Sequence, residues 1–149
     1  MLENVRGLKS HDGGKTLQYM ITKLEDCGYK ISGSEVLNSM DHANIPQNRE
    51  RVFIIGVRDD QDNTFRWAKE EHLTKRLKDV LENEVDEKYF LSHTIINGFL
   101  KHKERHEEKQ TGFKWQPKNE NDTANTLRAN AALCPTDNTI QIKSATKKG

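Results

Sequence analysis

Apolar residues recur along this chain in two rhythms. Leu17, Met20, Ile21 and Leu24 stand three and four apart, the spacing of one helix face, which predicts a helix from Thr16 to Cys27. Gly28 follows where a helix end favours a left-handed residue. Tyr29 to Leu37 and Val52 to Val57 are instead rich in β-branched and aromatic residues and read as two strands. The polar stretch 38–48, which holds Pro46, joins them as the long connection of an antiparallel hairpin. Val52-Phe53-Ile54-Ile55-Gly56-Val57 is apolar on both faces, the mark of an inner strand. The chain opens on Met1-Leu2-Glu3-Asn4-Val5, which reads as a strand cut short before a glycine-rich loop from Gly7 to Gly14.

After Arg58-Asp59-Asp60 the pattern becomes charged and amphipathic. Leu73, Leu77, Val80 and Leu81 predict one helix, and Ile95 to His106 another. From Gln110 onward Gly, Asn, Asp, Thr and Lys dominate, with scattered aromatics, so loops and short strands are expected. A boundary near residue 60 therefore divides an α/β portion, 1–60, from an irregular α+β portion, 61–149. The expected class is α/β.

Composition thins the core that this pattern can build. Hydrophobic residues make up 33% of the 149 and charged residues 32%, so much of the chain is solvated or awaits a partner. The 24 basic and 23 acidic residues leave a net charge of +1, and nucleic-acid affinity has to come from local patches. No apolar run approaches the roughly 20 residues that span a bilayer, and the start has no signal-peptide pattern; a cytoplasmic setting is expected. Cys27 and Cys134 have neither CxxC spacing nor a disulfide framework, so both are expected as reduced thiols.

One cluster stands out chemically. Pro46-Gln47-Asn48-Arg49-Glu50-Arg51 runs straight into the inner strand, and strand alternation puts Arg49 and Arg51 on one face. Two guanidinium forks there suit a carbonyl, carboxylate or phosphate, and equally suit a salt bridge at a strand entrance. Glu3-Asn4, at the end of the opening strand, is the candidate partner, because ligand-binding residues gather at strand ends in α/β sheets. A desolvated carboxyl at that point could hold or donate a proton near neutral pH.

Three other motifs carry less. Gly13-Gly14-Lys15-Thr16 resembles the end of a phosphate-binding loop, but Lys9 stands where the leading glycine belongs. His102 and His106 have the spacing of two helical zinc ligands, yet Gln110 occupies the next required position, and Lys101, Lys103, Glu104 and Arg105 mark a solvated face. Cys27 is expected to pack at a helix end, and Cys134 lies in a loop before Pro135.

Two blocks taken together resemble a known family. Leu2-Glu3-Asn4-Val5-Arg6-Gly7-Leu8 with Ser10-His11-Asp12-Gly13-Gly14 is similar to the ENV block of cytosine-C5 DNA methyltransferases, and Ile45 to Gly56 to their QxRxR block, in the same order and spacing. Val85 to Ser92, His102-Lys103, Gly112-Phe113 and Thr123 to Ala129 bear a looser similarity to bacterial enzymes that methylate within CCWGG sites. The resemblance implies the distal part of a Rossmann-like, S-adenosylmethionine-dependent sheet followed by part of a target-recognition region. It also implies a cytosine flipped out of double-stranded DNA into a pocket. Glu3 would hold the N3 and amino edge of that base, Arg51 its O2, and Arg49 would be a structural or phosphate-binding neighbour. Asn4 would brace the loop bearing the attacking cysteine, with Val5 and Gln47 supporting the pocket and Thr126 and Arg128 meeting DNA.

The departures from the family are as informative. Neither an FxGxG cofactor loop nor a Pro-Cys dipeptide occurs within the 149 residues; the one adjacent pair is Cys134-Pro135, in reverse order. Blocks of RLTPxE and GNSV type do not occur either. No metal is implied. The expectation is a truncated, split or separately expressed methyltransferase segment from a restriction-modification system, inactive alone, marginally stable and needing an N-terminal portion as partner. A non-catalytic DNA-binding subunit that completes a split enzyme, and an inactive gene remnant, remain as alternatives.

Overall fold

The computed structural model describes residues 1–109, 115–127 and 138–141. The chain divides into two compact units, Met1–Thr74 and Lys75–Gly149. Among the described residues no helix is long and apolar enough to cross a membrane.

The first unit is a three-stranded sheet under one helix. Strand β1 (Leu2–Val5) leads through two short 3-10 turns, Arg6–Lys9 and His11–Gly14, into α1 (Lys15–Asp26). The segment expected as a loop is thus wound, and Asp12 and Gly13, both at positive φ, break the winding before the helix. After α1 come β2 (Tyr29–Asn38), the single turn α2 (Ser39–His42), the two-residue β3 (Gln47–Asn48) and β4 (Glu50–Arg58). Gly28 ends α1 at φ 83, the left-handed conformation expected of it.

The sheet order is β1-β4-β2, so the apolar strand is the inner one, and both pairings are antiparallel. Alternation along β4 sends Val52 and Ile54 to one face, where Leu8 and the α1 stripe of Leu17, Met20, Ile21 and Leu24 cover them. Val52 and Ile54 keep 1% and 2% of their surface. Burying two branched side chains this completely contributes roughly 1.5–3 kcal/mol each to the stability of the unit. Strand β2 carries a bulge between Ile31 and Gly33. Gly33 takes φ 134 there, and the indole Nε1 of Trp67 lies 3.6 Å from where a Cβ would stand.

In the second unit α3 (His93–Glu108) extends the helix expected from Ile95 to His106. Ser92 caps it by accepting a hydrogen bond from the Ile95 N–H at 3.3 Å. Phe99 packs on the buried Trp115, their ring centres 5.2 Å apart, and the Trp115 Nε1 donates to Thr139 Oγ1 at 3.0 Å. A parallel bridge joins Lys118 to Ile140, and Ala124–Asn125 forms the short β5.

The helix expected around Leu73, Leu77, Val80 and Leu81 is not there; only a 3-10 turn, Leu77–Asp79, forms. Its backbone donors are claimed by tertiary contacts. The Leu77 and Lys78 N–H groups donate to Asp122 and Glu120 carbonyls at 3.1 and 2.8 Å, and the Asp79 carboxylate accepts from the Arg76 N–H at 2.7 Å. An α-helix would need those N–H groups for carbonyls four residues earlier.

Candidate functional site

Glu3, Arg49 and Arg51 meet on the sheet face turned away from α1. The β1–β4 register sets Glu3 opposite Phe53 and Val5 opposite Arg51. Arg51 is therefore the diagonal neighbour of Glu3, within reach of a long side chain. Its Nε stands 3.3 Å from Glu3 Oε1, and Arg49 Nη2 approaches the same oxygen at 3.6 Å. Arg51 also donates from Nη1 to the Glu50 carbonyl at 2.7 Å, which fixes the plane of its guanidinium.

Burial separates the roles of the three side chains. Arg51 is 17% exposed, Arg49 37% and Glu3 47%. Ion pairs this open to water contribute only about 0.2–1 kcal/mol, so the constellation adds little to stability. What it does supply is a carboxylate and two donor forks held side by side, Glu3 and Arg51 on the paired strands β1 and β4 and Arg49 just before β4. The desolvation that the sequence reading supposed for Glu3 is not provided by the residues around it, since almost half of the side chain meets solvent.

The other expected site residues fall elsewhere. Val5 lies beside Arg51 on the same face, half-exposed. Asn4 points the opposite way by strand alternation, and its Oδ1 accepts from the Val5 N–H at 2.8 Å. Gln47 enters the site through its backbone, the carbonyl accepting from Ser39 Oγ at 2.6 Å. Thr126 is half-buried in the second unit, just after β5, and Arg128 lies outside the described residues.

Three partners escaped the sequence reading. Arg6 donates to Glu50 at 2.7 Å, tying the end of β1 to the start of β4. Asn38, the last residue of β2, and Ser39, the first of α2, bond the Gln47–Arg49 backbone. An Asn-Ser pair closing a strand before a Pro-bearing connection is the one local signal that pointed to them.

The weaker motifs resolve locally. Thr16 Oγ1 is hydrogen-bonded to His11 Nδ1 at 2.7 Å. The His102 and His106 rings lie tilted against each other with centres 4.3 Å apart, and desolvation, then His106 and Arg105, lowers the His102 pKa. Cys27, expected to pack, is an exposed free thiol at the C-terminus of α1, and Cys134 lies outside the described residues. Cys27, Gly28, Tyr29, Arg58, Asp59 and Asp60 line a shallow polar hollow, which sits at the far end of β4 from Arg51.

Known proteins are similar to this chain in sequence. The family model for C-5 cytosine-specific DNA methylases matches residues 1–149. The type II methyltransferase M.DsaV of Dactylococcopsis salina is 38% identical over 123 residues, covering 81% of this chain and 34% of its own length. The type II methyltransferase M.HpaII of Haemophilus parainfluenzae is 39% identical over 118 residues, with 77% and 33% covered. This chain thus spans about a third of the length of these curated relatives. Among solved structures, the Dnmt2 methyltransferase of S. pombe superposes with a TM-score of 0.57 at 20% identity over 83% of this chain and 37% of that one, a likeness of fold.

Proposed function

The chain belongs to the family of C-5 cytosine-specific DNA methylases, and from that membership we propose that it supplies the base-holding wall of a pocket in which a cytosine flipped out of double-stranded DNA is methylated at carbon 5. The observation that carries the reading is the convergence of Arg51 Nε and Arg49 Nη2 on one oxygen of Glu3. A cytosine edge offers an O2 acceptor, a ring N3 and an exocyclic amino donor. A guanidinium answers the first and a carboxyl the other two. When bound, S-adenosylmethionine supplies the methyl group. The 149 residues hold no FxGxG loop for it, so the steps assigned to this chain concern the base alone.

In the proposed pocket the Glu3 carboxyl holds N3 and the amino group and supports protonation at N3. That draws electron density from the ring and makes carbon 6 receptive to a thiolate from the nucleophile-bearing portion of the enzyme. Arg51, the least exposed of the three, donates to O2, and Arg49 steadies Glu3 or a flanking phosphate. Asn4 serves the loop that carries the cysteine, on the sheet face opposite Glu3. The recognition residues are Thr126 and Arg128 in the second unit. Proposed partners are double-stranded DNA and that nucleophile-bearing portion. Two relatives are type II methyltransferases, which supports a restriction-modification setting in the cytoplasm.

The test joins residues 1–149 to a methyltransferase portion bearing FxGxG and Pro-Cys and measures single-turnover transfer of tritiated methyl groups to DNA. The joined protein is expected to methylate. Glu3→Gln is expected to slow the transfer about a hundredfold or more at unchanged DNA affinity. A joined protein that transfers nothing, or a Glu3→Gln variant with native rate, sinks the reading. The 149 residues alone are expected neither to transfer methyl groups nor to bind S-adenosylmethionine; micromolar binding by calorimetry overturns that part.

A further inference from the structure

The arginine pair is held in place by a residue the proposed chemistry does not use. Strand β4 begins only at Glu50, so the backbone from Gln47 to Arg49 needs hydrogen-bond partners outside the β2–β4 ladder. Asn38, the last residue of β2, provides one of them, to the Arg49 N–H. Its Oδ1 accepts from the Arg49 N–H at 3.0 Å and from the Met40 N–H at 3.2 Å, while its Nδ2 donates to Asn48 Oδ1 at 2.7 Å. Ser39 continues the seam, its N–H donating to the Arg49 carbonyl at 3.2 Å and its hydroxyl to the Gln47 carbonyl at 2.6 Å.

We propose that Asn38 is a positioning residue for Arg49 and Arg51, setting where their guanidinium groups meet Glu3 and, on the base-holding reading above, the cytosine. Only a carboxamide accepts two N–H groups on one atom and donates from the other in this geometry. A carboxylate keeps the two acceptances and loses the donation; a methyl group loses all three. The Arg49 N–H is the step that transmits the constraint, because it lies on the residue that reaches Glu3 and two positions before Arg51. The Asn38 carbonyl, 3.2 Å from His42 Nδ1, adds a tie to α2 that side-chain substitution leaves alone.

Hydrogen exchange on the nitrogen-15-labelled chain tests the brace with Asn38→Ala and Asn38→Asp. In Asn38→Ala the Arg49 N–H is expected to exchange about tenfold faster, with the Ile54 N–H in the inner strand unchanged and the Arg51 Nε–H resonance displaced. In Asn38→Asp the Arg49 protection is expected to persist. Unchanged Arg49 exchange in Asn38→Ala overturns the proposal. So does equal acceleration at Ile54, which would mark general loosening, and so does an Asn38→Asp variant as fast as Asn38→Ala. In the joined enzyme Asn38→Ala is expected to lower kcat about tenfold with KM for DNA unchanged and with partial rescue by Asn38→Asp; native kcat overturns it. A joined enzyme inactive even with Asn38 in place would count against the base-holding reading, while the exchange result still decides the brace.

Discussion

Arg51 approaches Glu3 diagonally across the β1–β4 ladder, Nε to Oε1 at 3.3 Å, with its Nη1 bound to the neighbouring Glu50 carbonyl. A guanidinium fixed by two acceptors loses little further freedom when it meets a third, so its remaining donors are preorganised for a carbonyl oxygen.

The base-holding reading sets Arg51 apart from Arg128 in an enzyme completed with its nucleophile. Losing a charged hydrogen bond in a dry pocket costs about 1.5–3 kcal/mol. Arg51→Ala is therefore expected to slow single-turnover methylation by roughly tenfold to more than a hundredfold, at nearly constant DNA affinity, which phosphate contacts dominate. Arg128→Ala is expected to weaken binding or relax site choice with a smaller effect on the bound rate. Equal effects of both substitutions on rate and affinity would remove Arg51 from the pocket.

The inner strand carries the stability. Ile54 is packed by Leu8, Leu17 and Val52. Ile54→Ala leaves a cavity that the stiff sheet cannot close, and the expected loss is about 2–5 kcal/mol. Urea denaturation read by Trp67 fluorescence measures it; a loss below about 1 kcal/mol would mean that the core relaxes far more than close packing allows.

Two glycines should differ sharply on substitution. Gly33 sits at φ 134 under the Trp67 indole, and Gly7 has no atom within 4 Å of the Cβ position. Gly33→Ala is expected to cost about 1–3 kcal/mol through backbone strain, whereas Gly7→Ala is expected to be near neutral. Paired denaturation curves decide it, and equal midpoints contradict the bulge geometry.

Acidification should loosen the second unit. His102 titrates below its ordinary 6.5, chiefly through desolvation and then through His106 and Arg105. The unfolded chain thus takes up that proton more readily than the folded one. The contribution is complete above the unfolded value near 6.5 and is lost as pH falls from there through the folded value. His102→Phe is expected to flatten the fall in melting temperature between pH 7.5 and 5.5, and an unchanged pH slope excludes His102 as its source.

Much of the first unit was legible in the sequence because its signals are local. The three-four spacing of Leu17 to Leu24, the glycine at 28 and the run from Val52 to Val57 each specify an element through contacts a few residues long. The two family blocks were legible for the same reason, since their identity is written in consecutive residues. The meeting of Glu3 with Arg49 and Arg51 could only be suspected. Register decides it, and a one-residue slip of β1 against β4 would turn Glu3 to the helix side. The turn at Leu77 was misread because Asp122 and Glu120, distant in sequence, compete for its N–H groups and win. Asn38 was missed because three hydrogen bonds to residues on both sides of a connection leave no periodic trace in the chain. Apolar spacing therefore determined the helix and the inner strand of the first unit. Hydrogen bonds closed across long loops, which tertiary packing alone brings together, decided which polar side chains face one another.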